Sequence, residues 1–234
     1  MFQMCVNEQI NGVTRDGGYG EYVTLHTEAV IAVPSDIDAA EFAPLLCAGV
    51  TVFNSLRNQH IIPGDIVAVQ GLGGLGHLAV QYANKMGYKV VALSSSADKE
   101  KFARDLGAHE YINTSKEDVA QALQKMGGAS CIMFTAPNSE LIPGLLAGLG
   151  PLGKLLVLAA AAPVEINTAS MIQKGTSIVA WPSGHALDCE ESIDFAMRHN
   201  VSCMVEKFRL DDANDALQHM TSGKVRFRAV ITMD

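Results

Sequence analysis

The chain is short of aromatic residues, of proline and of positive charge. Phe, Trp and Tyr together make up 6% of its 234 residues, and there are eight prolines. Seventeen Lys and Arg stand against 25 Asp and Glu, a formal net charge of −8. A chain with that balance has no electrostatic reason to seek nucleic acid or anionic lipid, so neither is expected as a partner. No apolar run approaches the ~20 residues of a membrane helix. The longest ones, such as Ile66–Val69 and Leu155–Ala162, are strand-like and bounded by Gly, Pro or charge. Met1-Phe2-Gln3-Met4-Cys5 lacks both the basic and the apolar region of a secretory leader. No membrane association and a cytoplasmic setting are therefore expected. The five cysteines, Cys5, Cys47, Cys131, Cys189 and Cys203, are odd in number and scattered. That argues against a disulfide framework and for reduced thiols, some of them available as metal ligands.

What is present is apolar content (48%) and 21 glycines, a composition that suits a packed α/β fold with many short turns. Residues 1–33 read as short extended segments, with alternation from Tyr19 to Val33 and a turn at Asp16-Gly17-Gly18. Ser35 and Asp38 form a loose capping pattern ahead of a helix over Ala39–Leu46, and a second helix is expected over Gly49–Asn58. From Pro63-Gly64 the rhythm becomes strand, turn, helix, repeated. Strands are expected at Ile66–Val69, Val90–Leu93, Tyr111-Ile112, Cys131–Phe134, Leu155–Leu158 and Ser177–Ala180. The helices between them cover His77–Met86, Asp98–Leu106, Val119–Met126 and Leu141–Leu149. Apolar strands alternating with helices of about ten residues are the pattern of right-handed βαβ units around a parallel sheet. The tail predicts a strand at Val205–Phe208, a helix capped by Asp211, and a last strand at Arg228–Thr232.

The most informative segment is Gly71-Leu72-Gly73-Gly74-Leu75-Gly76, which lies between an expected strand and an expected helix. In a dinucleotide-binding turn each glycine has a physical task. Gly71 makes the tight turn off the strand, Gly73 lets the backbone approach a pyrophosphate, and Gly76 lets the helix pack against the strand. The backbone N–H groups of Gly74, Leu75 and the helix start then face the phosphates. An acid at the end of the second strand usually bonds the ribose 2′-hydroxyl of NAD. Here that position reads Ser94-Ser95-Ser96, followed by Lys99. Hydroxyls and an ammonium suit a 2′-phosphate, which favours NADP over NAD.

Three stretches carry a family resemblance: Gly17-Gly18-Tyr19, Pro44-Leu45-Leu46-Cys47-Ala48-Gly49-Val50-Thr51-Val52, and the glycine turn. Taken together and in order over the chain, they resemble the zinc-dependent alcohol dehydrogenases of the medium-chain dehydrogenase/reductase family. The resemblance implies a doubly wound parallel Rossmann sheet flanked by remnants of a mainly β GroES-like catalytic domain. It implies a remnant of that domain at 1–33, the dinucleotide-binding domain at 34–200, and a strand-helix-strand at 201–234 returning to the catalytic domain. Cys47 takes the place of a catalytic-zinc ligand, with the metal acting as a Lewis acid on the alcohol. Thr51 matches the threonine beside the nicotinamide. Cys5 resembles the last of four structural-zinc cysteines. The family's other zinc ligands and its proton relay lie ahead of the region matched by Met1, so both sites are expected to be incomplete and the chain is expected to be a C-terminal portion.

Arg228 matches an arginine that contacts the cofactor phosphates. Thr135-Ala136 and Leu158-Ala159 follow parallel strands, where the loops of such sheets line the ligand crevice, and Ser183 is placed likewise. The resemblance implies reversible hydride transfer between a small alcohol and NADP (or NAD), giving an aldehyde or ketone, in a homodimer or homotetramer. Two other readings stand beside it: an NADP-binding module without catalysis, and a zinc-independent quinone or enoyl reductase. His60, His109, His185, His199 and His219 are expected to be solvated, and Cys131, Cys189 and Cys203 to be packing residues.

Overall fold

The computed structural model describes residues 2–233. It falls into two compact units, one formed by Met1–Asn54 with Pro182–Asp234 and the other by Ser55–Trp181.

The Ser55–Trp181 unit is built on six strands: β1 (Ile66–Gln70), β2 (Lys89–Ser94), β3 (Glu110–Asn113), β4 (Ala129–Phe134), β5 (Leu149–Val157) and β6 (Ser177–Ala180). They form one sheet in the order β3-β2-β1-β4-β5-β6, and every neighbouring pair is parallel. This is the doubly wound Rossmann topology, with its switch point between β1 and β4. β1 sits at the centre, Val67 facing Val90 on one side and Cys131 on the other. Its run Ile-Val-Ala-Val carries no polar side chain, as a strand covered on both faces requires.

The strands are joined by α3 (Gly76–Lys85), α4 (Glu100–Asp105), α5 (Val119–Lys125), α6 (Ile142–Gly148) and α7 (Thr168–Lys174). On one face Ala68, Leu93, Ile132, Phe134 and Leu155 of the strands pack with Leu123 of α5 and Ile142 and Leu145 of α6. α3 packs on β1 and β2, burying Leu78, Ala79, Tyr82 and Ala83 completely. α4 is shorter than the expected Asp98–Leu106 helix because a 3-10 turn, Ala97–Lys99, precedes it. α7 was not expected. Its signals are nonetheless ordinary: Asn167 caps the first turn through Oδ1, and Gly175 closes the helix at φ 64.

The other unit contains α1 (Ala39–Phe42), the start of α2 (Ala48–Arg57), α8 (Ala186–His199), β7 (Val205–Arg209), α9 (Ala213–Thr221) and β8 (Arg228–Thr232). β7 and β8 pair in parallel, joined by α9. Three expectations need correction here. The expected helix over Ala39–Leu46 is α-helical only to Phe42 and continues as a 3-10 turn, Ala43–Leu46, because Pro44 has no N–H to donate. Its cap is Asp38, whose carboxylate accepts from Ala40 N at 2.9 Å, and not Ser35. Finally, the described part of residues 1–33 contains no strand. It holds the 3-10 turns Phe2–Met4 and Thr27–Ala29 and one isolated bridge, Asn11 to Arg15. Alternation in this stretch is not matched by any ladder, and Tyr19 and Tyr22 are 77% and 91% exposed.

The 14-residue helix α8 starts four residues ahead of Glu190-Glu191, the acids that read as a helix start in the sequence. Its cap is a histidine: His185 Nδ1 accepts from Asp188 N while Asp188 Oδ2 accepts from His185 N at 2.9 Å. The reciprocal pair is a capping box in geometry, but it lacks the Ser or Thr that marks one in sequence. No single helix among the described residues is long and apolar enough to cross a membrane; one pair bent by 47°, Ala39–Leu46 with Ala48–Arg57, passes by length and composition only.

Candidate functional site

At the carboxyl end of β1 the chain turns through Gly71 at φ 93, a conformation that disfavours any side chain. A Cβ on Gly71 would also press on Ala136 Cβ at 3.0 Å. At Gly76, where α3 begins, a Cβ would lie 1.8 Å from the Gly71 carbonyl oxygen, so only glycine lets the helix start this close to the strand. Gly73 differs from both. Nothing lies within 4 Å of where its Cβ would be, and its φ is ordinary. The turn is thus tightly packed beneath and open above Gly73. No side chain caps the first turn of α3, whose N-cap is Leu75. Apart from His77 N, which bonds the Gly73 carbonyl, its first-turn N–H groups and the positive end of its ten-residue dipole are available to an anion.

Two side chains brace the turn. Thr135 Oγ1 donates to the Gln70 carbonyl at 2.7 Å and lies 3.3 Å from the Gly71 carbonyl. Its hydroxyl and its backbone N–H, 3.2 Å from the same Gln70 carbonyl, together hold the β1–β4 end, and the Ala136 carbonyl accepts from Asn138 N at 2.8 Å. His77 is fully buried, with Nδ1 3.0 Å from the Gly73 carbonyl, which also accepts from His77 N. His77 as a brace was not read from the sequence, where it stood only as the first residue of a helix. Gln70 was likewise missed: it is 7% exposed, and its Oε1 is buried without a donor among the described residues. The available signal was a polar residue ending a buried apolar strand.

At the end of β2, Ser94 is buried, Ser95 exposed and Ser96 half-buried. Their backbone is pinned by neighbours: Thr114 N donates to Ser94 O, Ser115 Oγ to Ser95 O, and the Tyr111 hydroxyl to Ser96 O. The loop is held by its carbonyls, and its hydroxyls are not used in that bracing. Lys99 follows in the 3-10 turn. Leu158, beyond β5, has its N–H committed to the Phe134 carbonyl at 3.0 Å; Ala159 follows half-buried.

In the other unit, Thr51 Oγ1 donates to Ser183 Oγ at 2.8 Å, and the Asn54 amide donates to the Ser183 carbonyl at 2.8 Å. Ser183 adopts φ 61, the left-handed region that a serine enters only when its surroundings hold it there. Arg228 opens β8 with its Nε buried and no acceptor among the described residues. Cys47 ends the Ala43–Leu46 turn and is exposed. Cys189, on α8, donates to the Leu46 carbonyl at 3.7 Å. Burial, then the charges of Asp188, Cys47 and Glu190, push its thiol up to about 11. Cys5 is exposed.

Zinc requires three protein ligands at a catalytic site and four at a structural one. Among the described residues no group of three or more His, Cys, Asp or Glu is placed to hold a metal. Cys47 and Cys5 each offer a single sulfur, so the donor set among the described residues does not fit a zinc ion. Of the histidines expected to be solvated, His60, His109 and His199 are exposed and His185 and His219 half-buried, and four of the five also make contacts within the chain. His109 Nδ1 accepts from Val90 N at 2.9 Å, His185 caps α8, His199 stacks on Phe195 at 4.3 Å, and His219 bonds Glu206 at 2.7 Å.

A family model described as a zinc-binding dehydrogenase matches residues 74–198. The chain is 58% identical over 232 residues to the alcohol dehydrogenase patD of Penicillium expansum, a match covering 99% of this chain and 68% of that protein. It superposes on the alcohol dehydrogenase of the archaeon Aeropyrum pernix with a TM-score of 0.89 at 29% identity, covering 98% of this chain and 69% of the other. It also superposes on the CAD of Helicobacter pylori, solved as a complex with NADP(H), with a TM-score of 0.74 at 28% identity, covering 87% and 58% of the two chains.

Proposed function

Because the chain belongs to the zinc-binding dehydrogenase family, among its alcohol dehydrogenases, we propose that its Ser55–Trp181 unit binds the nicotinamide dinucleotide of the reaction, with NADP preferred over NAD. When bound, that cofactor accepts a hydride from the carbon of a small alcohol, or returns one to an aldehyde or ketone, while a proton is exchanged with the substrate oxygen. The observation that carries the reading is the open space at Gly73 above a turn that is otherwise closed by contact. A pyrophosphate there would take hydrogen bonds from the N–H groups of Gly74, Leu75 and Gly76 and lie on the α3 dipole. Gly71 and Gly76 set the turn, and Thr135 and His77 hold it.

The NADP preference rests on the β2 end. Ser95 and Ser96, with Ser94 buried behind them, offer hydroxyls where an NAD site has a carboxylate, and Lys99 adds a positive charge. A relative solved with NADP(H) supports it. Ala136, Leu158 and Ala159 are assigned to the crevice wall. Thr51, Ser183 and Arg228 are assigned to cofactor contacts by resemblance, and the buried, unpaired Nε of Arg228 suits an anionic group. By resemblance Cys47 takes the position of a catalytic-zinc ligand and Cys5 that of a structural-zinc ligand, and neither is joined by further donors among the described residues. Residues 34–200 are taken as the dinucleotide-binding domain, between the 1–33 and 201–234 pieces of the catalytic one. The same reading takes the protein as cytoplasmic and as a homodimer or homotetramer.

Titration with NADPH and NADH tests the proposal. Gly73→Ala has room for its methyl in the folded chain, so Tm should stay within a degree or two while affinity for both cofactors falls by about tenfold or more. Unchanged affinity would remove the turn from the cofactor site. Ser95→Asp should weaken NADPH by about tenfold and leave NADH little changed, since it adds a charge only the 2′-phosphate feels. Equal losses for the two cofactors would overturn the preference.

A further inference from the structure

Thr51 and Asn54 stand three residues apart on α2, so their side chains leave the same face of the helix. Both end on one residue, Ser183, in the segment that leads into α8. The Thr51 hydroxyl donates to the Ser183 hydroxyl oxygen and the Asn54 amide to the Ser183 carbonyl, each at 2.8 Å. One residue on, the segment lies flush against the helix: a Cβ on Gly184 would stand 2.6 Å from Val50 Cγ2. The His185–Asp188 box then fixes the start of α8. Ser183 itself sits at φ 61, where a glycine would rest without strain. A serine in that place implies that its hydroxyl is used, and the partner of that hydroxyl among the described residues is Thr51. Asn54 is 3% exposed, too enclosed to meet a bound nucleotide itself, so whatever it does for a ligand it does through Ser183.

We propose that Asn54 is a positioning residue for the nicotinamide end of the cofactor: it holds Ser183 in its left-handed turn, and the turn keeps the Ser183 hydroxyl on Thr51. The inference rests on the assignment of Thr51 to the nicotinamide and goes beyond it, because that assignment does not say what fixes the threonine's rotamer. A threonine in a helix has two rotamers open to it, since its hydroxyl can also turn back to a main-chain carbonyl of the preceding turn. An acceptor supplied by Ser183 selects one of them and so sets the direction of the Thr51 methyl. Strained backbone persists only where its surroundings over-determine it. Here the Asn54 amide, the close approach at Gly184 and the α8 cap do so together. Without the amide, Ser183 relaxes toward negative φ and carries its oxygen off Thr51, which then samples both rotamers. A group that binds the cofactor is only as well placed as the residues that hold it.

The test is calorimetric titration of the full chain with NADPH and with 2′-phospho-ADP-ribose, which keeps the phosphates and the adenosine but lacks the nicotinamide. Asn54→Ala should weaken NADPH by about five- to tenfold, the scale of one hydrogen bond, and leave 2′-phospho-ADP-ribose within about twofold. Ser183→Gly adopts the left-handed turn without help and deletes the hydroxyl, so it should show the same selective loss. Adding Asn54→Ala to Ser183→Gly should then change NADPH affinity little further, because the effect of the amide passes through that hydroxyl. The glycine background also carries the test where Asn54→Ala alone folds poorly. A merely structural asparagine would weaken both ligands together. Equal losses for the two ligands, an unchanged NADPH affinity in either single variant, or losses that add in the double variant overturn the inference and leave the cofactor reading intact. Binding of neither ligand by the unaltered chain overturns the cofactor reading and this inference with it.

Discussion

The six-stranded sheet and the stretch from Cys5 to Val33 are both rich in apolar residues, yet they end in opposite states. In the sheet, Val67, Ala68, Val69, Val90, Val91 and Ala92 are wholly buried. In the N-terminal stretch, Val6 is 97% exposed, and Val13, Tyr19 and Tyr22 are all well above half. The difference lies in the backbone. Each central strand has parallel neighbours on both sides, which satisfy its N–H and C=O groups and hold its side chains under a helix layer. Residues 5–33 have one isolated bridge and a few local bonds, such as Asn11 Nδ2 to Asp16 O and Thr24 O. Apolar alternation states which side chains prefer burial; a strand also needs a partner for its main chain.

The largest expected effect breaks the comparison on its buried side. Phe134 ends β4, is fully buried, and packs in the cluster shared by α5 and α6. Phe134→Ala should destabilise the protein by about 3–5 kcal/mol, the sum of lost transfer energy and the cavity left behind. Urea unfolding measures it. A cost below about 1 kcal/mol would mean that the helix layer does not close over the sheet as described.

A smaller effect sharpens the contrast through the thiols. Cys131 lies in the middle of β4, and burial pushes its thiol up to about 12, with Lys154 opposing the shift. A thiol raised in the folded chain contributes stability that is complete below its unfolded value, near 9. That contribution is lost as pH rises toward 12, because the unfolded chain sheds the proton first. Between pH 9 and 10.5 the loss should reach about 1.4 kcal/mol per pH unit. Cys131→Ala should lower stability at pH 8 and flatten the decline above pH 9. Urea midpoints at pH 8, 9.5 and 10.5 decide it, and an unaltered slope in the variant would mean that the thiol is not shielded.

Legibility follows the same division. The strand order rests on a repeated strand-helix rhythm, and five of the six sheet strands fall within one or two residues of their expected positions; β5 starts six residues earlier, at Leu149. The glycine turn was legible because each glycine has a distinct local cause, and those causes are visible as contacts at Gly71 and Gly76 and as space at Gly73. His77 was not legible, because its role depends on which carbonyl the fold brings to it. The start of α8 was misplaced because its capping box uses the imidazole of His185. The extended segments expected over residues 1–33 join no ladder, because alternation carries no information about pairing.

The smallest effect tests the exposed side. Tyr22 is 91% exposed, so its ring is almost entirely in contact with water in the folded chain, and removing it forfeits little burial. Tyr22→Ser should change stability by no more than about 0.5 kcal/mol, the usual range for surface substitutions that touch no cap, core or network. The same change at a fully buried tyrosine such as Tyr82 of α3 would be felt several-fold more strongly. A loss above about 1.5 kcal/mol at Tyr22, read from the same urea midpoints, would mean that this ring is covered in solution. The N-terminal stretch would then share the fate of the sheet, and the contrast between the two regions would be one of partners present or absent rather than of sequence.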